Sequence, residues 1–165
     1  MSETSADVVK RYLEDAIAAQ RSFETQLQDF ANETNDEGPK ELFRRHAIET
    51  RQQHERLTAR LETLGGAPSR AKSLLAHIFR TDPKTAQIGT DLAQRTTRNL
   101  LLTYAVENSE IAMYEVIAAI AEAAGDNETS DLARGIQNEQ KSAAETIWQL
   151  LPDSVLRLLG PSSLP

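Results

Sequence analysis

A carboxylate on the inward face of a helix is strongly unfavourable unless it is paired, protonated or bound to a metal. This chain sets polar residues into apolar stripes at such positions four times over. Val9, Leu13, Ala16, Gln20, Phe23, Leu27 and Phe30 follow one another at spacings of four and three, and Gln20 is the only polar member. In a second stretch Leu42 and Phe43 lead, Leu57, Leu61 and Leu64 follow, and His46, Glu49 and Gln53 fill the seam between them. In a third, Leu92 and Leu100 precede Glu107 and Glu110, one turn apart, and Met113, Ile117 and Ile120 follow. The last reads Leu132, Ile136, Glu139, Ala143, Ile147 and Leu150.

The interruptions fall at one height. The four stretches have midpoints near residues 19, 51, 106 and 139, and the 29 residues from Gln20 to Glu49 are nearly matched by the 32 from Glu107 to Glu139. That near-repeat hints at a pseudo-twofold about a shared interior site. Four carboxylates in an apolar layer need a counter-charge. Two divalent cations would supply it, and oxygen or mixed oxygen and imidazole ligation suits iron or manganese better than copper. Glu49, Glu107, Glu110 and Glu139 are therefore the expected metal ligands, with Gln20, His46 and Gln53 as further members of the site. His46, three residues before Glu49 on the same face, is equally suited to bind the metal or to orient the glutamate. The competing account is a solvated or ion-paired glutamate at each position, with Glu139 held by an arginine. The coincidence of the set favours the interior site. His54 and His77 have no partner at ligand spacing, and Tyr104, Tyr114 and Trp148 read as core packing.

Glycine and proline divide the chain into the helices that must carry these residues, over about 5–34, 39–64, 86–124 and 128–151. Short links make antiparallel hairpins of the first pair and of the second. Residues 66–84 form a long crossover with an amphipathic run (Leu74, Leu75, Ile78, Phe79), and 153–160 read as one more short helix. No period-two strand pattern occurs. The expectation is a single all-α domain over residues 1–165, a four-helix bundle with the connectivity of ferritin-like proteins. A net charge of −7 argues against a nucleic-acid surface, and the absence of cysteine removes disulfides and thiolate chemistry. No segment is long and apolar enough for a membrane span, and the start lacks a signal-peptide pattern, so a cytoplasmic protein is expected.

The segments YLEDAIAAQRSFETQLQDFA, HAIETRQQHERLTARLETLGG, YAVENSEIAMYEVIAAIAEAAGD and DLARGIQNEQKSAAETIW resemble successive helices of the Yci-type ferritin-like proteins, a bacterial family associated with stress responses. The resemblance covers residues 8–150 and is most specific in the third segment. It implies a ferritin-like bundle, a homodimer, and a di-iron or di-manganese carboxylate centre. The ferritin-like pattern expects a glutamate where Gln20 stands. It expects Glu then His three residues later in the second helix; Glu49 matches, but residue 52 is Gln. Glu107 and Glu110 reproduce a paired-glutamate spacing. Glu139 matches in the fourth helix, but Ser142 takes the place of a histidine. Two functions follow: a metal-binding protein with a reduced centre that holds two ions at most, or a non-enzymatic bundle that keeps the fold without stable metal binding. The sequence leaves open whether the protein is an enzyme.

Overall fold

The computed structural model describes residues 3–68 and 91–159. Four helices account for nearly all of them: α1 (Ser5–Glu33), α2 (Glu37–Thr63), α3 (Leu92–Ala123) and α4 (Asn127–Leu159). No strand occurs among the described residues. The expected crossover run around Leu74–Phe79 lies outside them.

Local chemistry sets the helix ends. The Thr4 hydroxyl accepts from the Asp7 amide at 3.2 Å while the Asp7 carboxylate accepts from the Thr4 amide at 3.3 Å, a reciprocal cap on α1. Asp36 and Asp91 cap α2 and α3, accepting from Gly38 and Ala93. Asp126 does the same for α4, accepting from the Thr129 amide at 3.0 Å. At the far ends of α2 and α3 the chain turns through Gly65 and Gly125, whose φ values are 74° and 75°. In both, the next residue's N–H returns to the last turn, Gly66 to the Leu61 carbonyl and Asp126 to that of Ala121.

Packing pairs the helices. Phe30 meets Phe43 ring to ring at 5.7 Å, and Arg51 reaches back to Glu24 at 2.7 Å, so α2 runs back along α1. Arg134 reaches Glu122 at 2.8 Å and Trp148 meets Tyr104 at 5.4 Å, so α4 runs back along α3. The core divides into two apolar clusters. One holds Leu13, Leu57, Leu61, Tyr114, Ile117 and Ile136. The other holds Phe23, Leu27, Phe43, Leu100, Val106 and Ile147. Between them lies a polar layer.

Two elements differ from expectation. The sequence ends the fourth helix near residue 151 and starts a separate short helix, whereas α4 continues through Pro152 to Leu159. Proline removes one N–H from the ladder and strains one turn, but contacts beyond it hold the helix. Thr97 Oγ1 donates to the Ser154 carbonyl at 3.3 Å, and Arg157 pairs with Asp36. Trp148, expected in the core, is 56% exposed. No helix among the described residues is long and apolar enough to cross a membrane.

Gly125 has open space where a Cβ would stand, so a substitution there meets backbone strain alone. Gly125→Ala is expected to lower the unfolding free energy by about 1 kcal/mol, the left-handed penalty for a residue with a Cβ. Chemical denaturation measures it; an unchanged midpoint would rule out this cap.

Candidate functional site

The polar layer is built from all four helices. Glu107 and Glu110 stand one turn apart on α3, only 2% and 1% exposed. From α1 comes Gln20, from α2 His46, Thr50 and Gln53, and from α4 Gln140, all buried. Tyr114, one turn past Glu110, completes it. Gln20 Nε2 donates to the Tyr114 hydroxyl at 2.6 Å and to Glu110 Oε2 at 3.4 Å. Gln140 Nε2 donates to the same Glu110 oxygen. Gln53 Nε2 donates to Gln140 Oε1 at 3.0 Å and to Glu139 Oε2 at 3.0 Å. His46 Nδ1 lies 3.4 Å from Glu107 Oε1, too poorly aligned for a hydrogen bond, and its Nε2 lies 3.8 Å from Glu49.

Electrostatics drive the layer toward neutrality. Burial pushes the Glu107 carboxyl up to about 8, with the charge of Glu49 adding to it. Burial raises Glu110 well above its ordinary value, and the neighbouring Glu107 adds to it; the bonds from Gln140 and Gln20 pull the other way without reversing it. Burial also raises Tyr114, and it pushes His46 down despite the Glu49 charge. Each group is thus favoured in its uncharged form.

Not every expected member is inside. Gln20, His46, Gln53, Glu107 and Glu110 are in the layer. Glu49 and Glu139 are not: their side chains are 47% and 45% exposed. Both seams turn inward one residue later, at Thr50 and Gln140. Glu49 stands 3.8 Å from Arg45. Glu139 is gripped by Arg56 through bonds of 2.9 and 2.5 Å. Burial works against its charge, but the bonds from Arg56 and Gln53 prevail and hold it below the usual carboxylate range. Sequence reasoning missed Gln140 as a layer residue and missed the polar partner of Tyr114. The available signal was the step of four from Ile136, which selects 140 over 139.

The donor set decides what the layer can hold. A dinuclear carboxylate centre draws on several anionic oxygens and usually imidazole. Here the interior offers two carboxyls, three carboxamides and one histidine, and among the described residues no three His, Asp or Glu side chains are arranged to hold a metal ion. One Glu110 oxygen already receives two amide N–H groups. These residues do not fit a dinuclear centre. Several acceptors nonetheless lack a hydrogen-bond partner: Gln20 Oε1, Gln53 Oε1, Glu107 Oε2 and Glu110 Oε1.

Solved structures of similar fold place the chain. A protein of Xanthomonas campestris pv. campestris superposes with a TM-score of 0.79 at 24% identity, covering 98% of this chain and 100% of that one. The stress protein YciF of E. coli gives 0.83 at 24% identity, with 93% and 98% covered. A ferritin-like, diiron-carboxylate protein of Bacillus anthracis gives 0.72 at 16% identity, with 92% and 99% covered. The fold is therefore ferritin-like. No curated protein matches. A family model described as a domain of unknown function, DUF892, matches residues 4–159, and the chain belongs to that family.

Proposed function

We propose that this protein is a ferritin-like bundle in which a neutral hydrogen-bonded network has taken the place of a dinuclear metal centre. It acts as a structural or interaction protein rather than as an oxidase. One observation carries this: Glu110, the most deeply buried carboxyl, accepts hydrogen bonds from the amide groups of Gln20 and Gln140, which place N–H groups where metal ions would need a free anionic oxygen. Such a network fixes helix register, because a slip of one residue would leave buried polar groups unpaired. Two antiparallel hairpins with a long crossover, a cytoplasmic homodimer and a place in the stress response complete the proposal; family resemblance supports these.

A second reading rests on the unpartnered oxygens of Glu107, Glu110, Gln20 and Gln53. Buried acceptors without partners are costly, and a single iron or manganese ion would satisfy them. Elemental analysis of protein purified under iron- and manganese-replete conditions separates the two. The neutral network predicts less than about a tenth of an equivalent of either metal; a full equivalent would establish the cation instead. Restoring carboxylates with Gln20→Glu and Gln140→Glu together is expected to raise metal affinity at least about tenfold, since each adds an anionic ligand. Titration calorimetry with Mn²⁺ that finds no gain would remove both positions from any site.

The protonation states set the pH dependence. Glu107 titrates near 4.5 when unfolded and near 8 when folded, so the folded state holds an extra proton between those values. Stability therefore falls as pH rises through that window. Glu110 acts in the same direction. His46 opposes it, because its pKa is depressed, but only below about 6.5, its ordinary value. The melting temperature should decline from about pH 6.5 to about pH 9. In Glu107→Gln that decline should flatten, and at pH 9 the variant should melt about 5 °C above the parent. Equal slopes in the two proteins would show that Glu107 is already ionised, contrary to a neutral layer.

A further inference from the structure

A groove of about 1160 Å³ runs along the outside of the bundle between α2 and α4. Arg45, Glu49 and Arg56 line one wall, and Glu139, Ser142 and Thr146 the other. No apolar side chain larger than alanine lines it, so nothing greasy seals the space above the polar layer. Polar ties bridge the two helices instead. Near one end Arg60 reaches Asp126 at 2.7 Å, and near the other Arg157 of α4 pairs with Asp36, the cap of α2. At the height of the layer the surface tie is Arg56 with Glu139.

That pair is connected to the interior. Gln53, 2% exposed, donates its amide both to Glu139 and to Gln140, each at 3.0 Å, and Gln140 donates to Glu110. Gln53 thus bridges the groove and the buried carboxyl. The Arg56 and Glu139 side chains are 41% and 45% exposed, so salt screens their attraction. Once they part, Glu139 is free to swing into solvent, and Gln53 loses one of its two acceptors.

We propose that Arg56 and Glu139 form a salt-operated gate over the α2–α4 groove, and that opening it admits water and small hydrated cations to Gln53, Gln140 and Glu110. The gate is independent of whether the layer holds protons or an ion, because entry is by the same path. The pair sits at mid-helix, between the two apolar clusters, so it can open without unpacking either one.

Amide exchange tests this in the full-length protein labelled uniformly with ¹⁵N. In Arg56→Met, which keeps an apolar stem of similar length, exchange at the Gln53 and Gln140 amides is expected to quicken about tenfold. Backbone amides of Leu13 and Leu27 in α1 should exchange as before. Wild-type protein in about 1 M NaCl should show the same local acceleration, as screening predicts. Unchanged exchange at Gln53 and Gln140 in Arg56→Met, or an equal acceleration at Leu13 and Leu27, would overturn the gate. Should Arg56→Met fail to fold, the salt response of the wild type decides: a flat response at Gln53 and Gln140 refutes the proposal.

Discussion

Two carboxyl groups one turn apart, buried at the centre of the bundle, are the constraint on which the rest of the layer depends. Residues three apart on a helix bring their side chains to within about 5–6 Å, and two like charges at that distance repel by about 3 kcal/mol at an effective dielectric of about 20. That exceeds the roughly 1 kcal/mol net contribution of an ordinary hydrogen bond, and desolvation of Glu107 and Glu110 adds to it. Partners that merely accept or donate cannot hold both groups ionised. Without a cation at least one of the two is therefore protonated, and burial of each favours the protonated form of both. Burial outweighs the charge-stabilising bonds from Gln20 and Gln140 and favours neutrality at Glu110.

The surrounding fold follows from isolating that layer. Apolar clusters lie on both sides of it, one containing Leu13, Leu61 and Ile117, the other Phe23, Phe43 and Ile147. Groups that stay charged are sorted to the outside. Glu49 and Glu139, nearly half-exposed, stand against Arg45 and Arg56 at the rim. Gln53 marks the border, its amide bonded outward to a charged carboxylate and inward to a neutral amide. A polar layer so arranged adds little to stability by itself. It supplies specificity, because its bonds close at a single register of four helices.

Helical period and punctuation made the architecture legible. The spacing from Val9 to Phe30 marked the inward face of α1, and every residue of that seam is buried. Gly65 and Gly125 marked the turns that end α2 and α3. Pro152 misled, because contacts of Ser154 and Arg157 with distant residues keep α4 going where local chemistry favours a stop. In the layer, Glu107 and Glu110 were legible because they lie deep within an apolar stripe. Glu49 and Glu139 were assigned to the interior because a step of three from His46 or Ile136 reaches them, although a step of four reaches Thr50 and Gln140.

The sequence by itself determined the four bundle helices, their inward faces to within one residue, and the presence of uncompensated carboxyls in the core. These depend on local spacing and on the cost of burying charge. Only the tertiary structure decided which side of a 100° step per residue faces inward. That depends on how neighbouring helices rotate to fill the space between them. It moved two carboxylates to the rim, brought Gln140 in, and joined Arg56 to Glu139. With that rotation, the charge balance of the layer changed from four carboxyls to two.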